Sequence, residues 1–472
     1  MLNYRRFVLN RLARISPRWL PFADVATDEV PLSRLLRLSL FQVTVGMALV
    51  LLVGTLNRVM IVELDVPASL VAGMLALPLV FAPFRTLIGF RSDTHVSALG
   101  WRRVPYIWKG TLLQFGGFAI MPFALLVLSG YGEAVDAPRW IGLSSAALAF
   151  LLVGAGLHTV QTVGLALATD LVAEEDQPKV VGLMYVMLLL GMVASALVFG
   201  ALLENYTPGR LVQVIQGAAV TTVALNILAM WKQESRSWAR AQARKPDRDF
   251  TRAWRAFTGR PGALMLLGAI GLGTFGYGMA DVLLEPYGGQ ALGLTVAQTT
   301  KLTAVLASGT LAGFAIASKV LSGPARATSV ALWGAAIGVP GFAAIILSSA
   351  AVGPMLFVAG TFATGLGAGL FGHATLTATM RAAPAEQVGL ALGAWGAVQA
   401  TAAGIGVALG GVVRDVLVGL PGRDGAAADP ALPYNAVFGI EMLFLVLAVV
   451  ALLALQRTAA HDAPDPERLE VA

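Results

Sequence analysis

Asp281 and Glu285 stand four residues apart in ADVLLEPYGGQ (280–290), a spacing that puts both carboxylates on one helical face, one turn apart. In so apolar a stretch they can hold a proton or pair with a cation. A second run, LLVGTLNRVMIVEL (51–64), is interrupted by Asn57 and Arg58. A charge at the centre of a bilayer costs about 2.5–3.5 kcal/mol, so Arg58 needs either a partner or an escape to the interface. His158 and Gln161 share one apolar run and His373 sits in another. An imidazole there either donates to a carbonyl of a neighbouring helix or faces a cavity as ligand or donor. No H-E-x-x-H, phosphate loop or serine elbow occurs, and the carboxylates are too scattered for hydrolysis. The absence of cysteine removes disulfides, thiolate metal sites and thiol nucleophiles. The reading is of a protein that is not an enzyme and has no intrinsic metal.

The elements that must position these residues follow from composition. Of 472 residues, 57% are hydrophobic and 13% charged, about half the charged share of a soluble domain. Apolar runs of about twenty residues occur near 38–62, 67–90, 104–128, 140–167, 180–203, 210–231, 262–285, 296–318, 327–349, 353–379, 388–412 and 435–456. None alternates as a barrel strand would, so the fold class is all-α, with twelve transmembrane helices. With both termini placed in the cytoplasm, 27 of the 33 Lys and Arg fall on inside segments. That asymmetry fixes the orientation, and it explains the charge of +6 without nucleic acid; membrane lipids are the expected partner of the basic segments. Tyr4, Val8, Leu12 and Ile15 share one face of an Arg-rich amino end, as in a helix lying on the membrane surface.

The basic stretch 232–260 divides the spans six and six. The domains read as an amino-terminal segment 1–37, a six-helix bundle 38–231, a linker 232–261, a second six-helix bundle 262–456 and a tail 457–472. GAGL at 154–157 returns at 367–370, and GMA at 46–48 returns at 278–280, so the halves repeat. This is the plan of the major facilitator superfamily, two bundles rocking about a midplane site. GFRSDTHVSALGWRRVPYIWKG (89–110) supplies Gly89, Asp93, Gly100, Arg102 and Arg103 for a short turn that holds the inner face shut, with Asp170 as a further member. Counting residues along the first span brings Arg58 close to the outer interface, where it can snorkel. Aligning LDV (64–66) with LGL (292–294) instead sets it opposite Glu285, to pair with it or to share a polar ligand, and Arg58, Asp281, Glu285 and Lys301 become an outer gate. Glu441, early in the last span, reads as a solvated residue. GLGTFG (271–276) lacks a preceding strand, so its glycines, like Gly406 and Gly410, serve close helix approach and not a dinucleotide.

Residues 20–64, 82–110 and 280–290 closely resemble the PucC/LhaA family of phototrophic bacteria, the bacteriochlorophyll-delivery branch of the facilitators. The resemblance implies a multi-pass protein of the bacterial inner (cytoplasmic or intracytoplasmic) membrane that helps assemble light-harvesting complex 1 or 2, with complex 1 slightly preferred. It implies bacteriochlorophyll a as bound cargo, and light-harvesting α and β polypeptides, pigment synthase and the insertion machinery as partners. Residues offered for the pigment are Asn57, Arg58, Gln161 and Tyr287 toward carbonyls, and His158 or His373 as axial ligand to its Mg. Two alternatives stay open: a proton-coupled transporter of a small solute, and a scaffold that moves nothing.

Overall fold

The computed structural model describes residues 26–27, 29–80, 92, 101–130, 134, 136–173, 176–234, 258–260, 262–323, 325–349, 353–382, 388–420 and 429–461. Gly89, Asp93, Gly100 and the amino-terminal surface helix lie outside them. Among the described residues there is no strand, and eleven helices are long and apolar enough to cross a membrane. The second expected span is represented by the shorter apolar helix Ala68–Leu79. Such a chain has no other option, because in hydrocarbon each backbone group must be bonded within its own segment.

The helices are α1 (Leu32–Leu38), α2 (Leu40–Leu49), α3 (Ala68–Val80), α4 (Val104–Ser129), α5 (Arg139–Thr169), α6 (Gln177–Leu202), α7 (Pro208–Met230), α8 (Ala263–Gly278), α9 (Ala280–Gln290), α10 (Val296–Leu321), α11 (Ala327–Leu347), α12 (Pro354–Ala382), α13 (Val388–Val418) and α14 (Leu432–His461). Prolines open α4, α6 and α7, where a missing N–H costs nothing. Gly130 closes α4 in the left-handed region at φ 58°. Beyond α2 the first span winds as π-helix over Val50–Leu56 and again over Val59–Glu63. The wider turn rises less per residue, so an α-helical count places Arg58 too far along the span. Span seven, expected as one helix, breaks between Gly278 and Ala280 and runs on to Gln290.

The chain forms two compact units, Met1–Lys245 with Val282–Ala307, and Pro246–Asp281 with Ser308–Ala472. The halves expected from the sequence are thus modified: most of α9 and the start of α10 pack with the first six spans. The reason is polar. In the first unit Asn57 Nδ2 donates to the Val282 carbonyl at 2.8 Å, and the Thr55 and Thr300 hydroxyls lie 3.1 Å apart.

Within each unit the repeated glycines bring one helix pair into backbone contact. A Cβ on Gly156 of α5 would lie 2.6 Å from the Gly110 carbonyl of α4, and one on Gly110 would lie 2.9 Å from the Gly156 carbonyl. The second unit repeats this with Gly334 of α11 and Gly367 of α12, at 2.9 and 2.7 Å. Small residues carry association in lipid because close packing, not water exclusion, holds helices there. Gly156→Val therefore forces α4 and α5 apart, and little monodisperse protein is expected on size exclusion. Normal yield would contradict the packing.

Candidate functional site

Each polar group in the spans has a definite environment. At the basic end of the first unit, Arg103 is 4% exposed, and its Nε donates to Asp170 Oδ2 at 3.0 Å. Its Nη1 donates to the Ser92 hydroxyl at 2.9 Å, while Arg102 Nη2 reaches Asp170 Oδ2 at 3.1 Å. The end of α5 and the start of α4 are thus joined by a two-arginine, one-carboxylate clasp, assembled from three of the residues expected at the inner gate. Sequence reading missed its support. Glu234, just beyond α7, accepts the backbone N–H groups of Arg102, Arg103 and Val104 at 2.8–3.1 Å, closing the first turn of α4 with a carboxylate where the helix dipole favours one. Gln233 beside it exchanges hydrogen bonds with Arg34 of α1, donating to its carbonyl at 3.2 Å and accepting from its guanidinium. A lone acid inside the basic run KQESR was the available signal.

At the other end of the same unit Arg58 is 3% exposed, and its Nη1 meets Glu63 Oε1 at 2.5 Å. Its Nη2 donates to the Leu294 carbonyl at 3.1 Å. Glu285 accepts a hydrogen bond from the Thr303 hydroxyl. Among the described residues the ion pair of Arg58 is with Glu63; the expected direct pair with Glu285 is not formed. The cause is winding: an α-helix aligns residues three and four apart, whereas π-winding bonds i to i+5 and carries Glu63 under Arg58. Lys301, also expected at this gate, pairs with Glu204 at 2.9 Å, its stem laid over Gly200. Tyr206, in the connection after α6, has its phenol pushed up to about 12 by burial and then by the Glu63 carboxylate, against the lowering effect of Arg58. It stays neutral beside that pair.

The remaining candidates are distributed between the units. Tyr287 is fully buried in the first unit, and Asn57 Nδ2 is bonded to the carbonyls of Val53 and Val282. In the same unit His158 is half-buried and Gln161 buried, both on α5. His373 belongs to the second unit, where its half-buried ring lies 4.3 Å from that of Phe314. Asp281, also assigned to the second unit, is exposed on the first turn of α9. Glu441, read from the sequence as solvated, is fully buried. Its helix begins at Leu432, so Glu441 lies over two turns in, and its Oε1 accepts the Ala280 N–H at 2.6 Å where span seven is broken. Broken helices with polar groups at the break are how facilitator-type carriers place binding groups inside lipid.

The comparisons decide the family. The family model described as PUCC protein matches residues 55–460. The chain belongs to that family. Within it the chain is similar to Protein PucC of Rhodobacter capsulatus, 70% identical over 454 residues, covering 95% of this chain and 97% of that one. It is also similar to Protein PucC of Rhodovulum sulfidophilum, 65% identical over 420 residues, covering 88% and 92%. Among solved structures a bacterial homologue of the human lysosomal transporter Spinster, inward-facing and unoccupied, superposes with a TM-score of 0.66 at 16% identity, over 92% of this chain and 98% of that one. The chain thus has the all-helical, multi-span fold seen in major facilitator transporters.

Proposed function

We propose that this protein is an antenna assembly factor of a phototrophic bacterium's inner membrane, binding bacteriochlorophyll and delivering it to, or chaperoning, light-harvesting α and β polypeptides. The supporting observation is the near full-length identity to proteins named PucC, with the PucC/LhaA resemblance of residues 20–64 behind it. The residues suit the cargo. Bacteriochlorophyll is a flat, tailed macrocycle whose affinity for a protein comes mostly from apolar burial, with a few orienting polar groups. His158 and His373 are the imidazoles in the spans that can offer an axial nitrogen to its Mg; Gln161 offers an amide to its carbonyls. Asn57, Arg58 and Tyr287 have less to offer, since each is buried against protein.

Alanine at His158 or His373 is expected to blue-shift, or remove, the long-wavelength band of co-purified pigment. If both variants keep the wild-type spectrum, axial ligation by these residues is wrong. Proton-coupled transport of a small solute is the second reading, favoured by the exposed carboxylate of Asp281 within an apolar helix pair. A protein isolated without pigment that acidifies liposomes in a solute-dependent way would carry that reading instead. Preference for complex 1 is tested by deleting the gene and measuring both antenna bands: selective loss of the complex 1 band supports it, and selective loss of the complex 2 band reverses it.

A further inference from the structure

Among the buried polar atoms of the first unit that have no hydrogen-bond partner in the protein, three cluster where the first span meets α9: Asn57 Oδ1, Arg58 Nε and Glu285 Oε2. Their side chains are 0%, 3% and 5% exposed, so bulk solvent does not serve them. They belong to one neighbourhood. Asn57 holds the Val282 carbonyl, three residues before Glu285 on α9. A Cβ on Gly54, three residues before Asn57, would run into the Glu285 carboxylate. The Arg58 guanidinium lies over Gly289, one turn beyond Glu285, where a Cβ would be 2.9 Å from Nη2 and 3.1 Å from Nε. The two helices therefore present one donor and two acceptors within about a helical turn, the spacing that two hydrogen bonds through a single oxygen span.

We propose that these three atoms form a binding site for one water molecule, which accepts from Arg58 Nε and donates to Asn57 Oδ1 and Glu285 Oε2. The match is in the count of donors and acceptors. A buried water makes about three hydrogen bonds to otherwise unsatisfied groups, and water supplies two donors and an acceptor. A pigment carbonyl only accepts, so it would leave both oxygens unserved. A metal cation would satisfy the oxygens but stand against the guanidinium. Left unbonded, each of the three atoms would forfeit its hydration with nothing in return. The water thus makes the Arg58–Glu285 connection that the ion pair with Glu63 prevents from being direct. It withdraws Asn57 and Arg58 from contact with cargo and makes them positioning residues that fix the first span to α9.

The test is a map near 2 Å of the full-length protein in lipid nanodiscs, with infrared spectra of the same sample in ordinary and oxygen-18 water. An isolated peak about 3 Å from all three atoms is expected, together with an O–H stretching band that shifts on isotope exchange. Glu285→Gln keeps the volume and the Thr303 contact but offers an N–H in place of an acceptor, and should move that band; Asn57→Leu should abolish it. The proposal is overturned if the wild-type map shows no peak there, if Arg58 Nε bonds Glu285 directly, or if the band is the same in Glu285→Gln. These readouts require no pigment, so their failure leaves the assembly role untouched.

Discussion

Replacing Glu441 by leucine is expected to lower the melting temperature of the detergent-solubilised protein by roughly 4–8 °C. The change removes the acceptor of the Ala280 N–H, a 2.6 Å bond closed off from bulk solvent, and strands that donor at the break in span seven. Losing a buried hydrogen bond to a carboxylate is worth about 2 kcal/mol, and about 1 kcal/mol moves the melting point of a unit of some 200 residues by 2–4 °C. Glu441→Gln keeps an oxygen of the same reach and should lose about half as much. Equal melting of wild type and Glu441→Leu would mean that the break is held by packing alone.

Asp170→Ala is expected to be the most damaging single change at the basic end. It removes the carboxylate shared by Arg102 and Arg103 and leaves Arg103, whose side chain is only 5% exposed, as a buried charge that still donates to the Ser92 hydroxyl. Breaking a buried pair from one side costs about 3 kcal/mol, most of it the stranded charge. Arg102→Ala should cost under about 1 kcal/mol, because Arg102 is partly exposed and its half of the pair is screened. Combining Asp170→Ala with Arg103→Met should therefore be less harmful than Asp170→Ala alone, the sign of a direct coupling. The measurement is thermal unfolding of wild type, Asp170→Ala, Arg103→Met and their combination, with antenna absorbance of the producing cells as the functional readout. Additive losses would place the value of the clasp elsewhere.

Which parts of this were legible in the sequence follows from the range of the forces involved. Long apolar runs specify helices by themselves, so the spans were readable to within a few residues, and the GAGL repeat announced the likeness of the halves but not the contacts: Gly156 meets Gly110, whereas its counterpart Gly369 meets Thr310 and Gly367 is the one that meets Gly334. Asp170 could be matched to Arg102 and Arg103 because short basic turns need a local acid. The ion-pair partner of Arg58 was missed for a reason no residue count reveals: π-winding changes which neighbour lies one turn away, and the acid it chose, Glu63, is five residues along. Glu441 was misread because its value depends on a break in a distant helix, at Ala280. Glu234 and Gln233 sit at the start of a charged loop, and only the fold shows that they bind Arg34 and the first turn of α4.

The most direct test of the assembly role is gentle purification of the full-length protein from pigmented cells, followed by an absorption spectrum and identification of the bound polypeptides. A bacteriochlorophyll band together with antenna α or β chains, both diminished in the His158 and His373 variants, is the predicted result. A colourless protein, purified without antenna chains from cells that are making antenna, would contradict it.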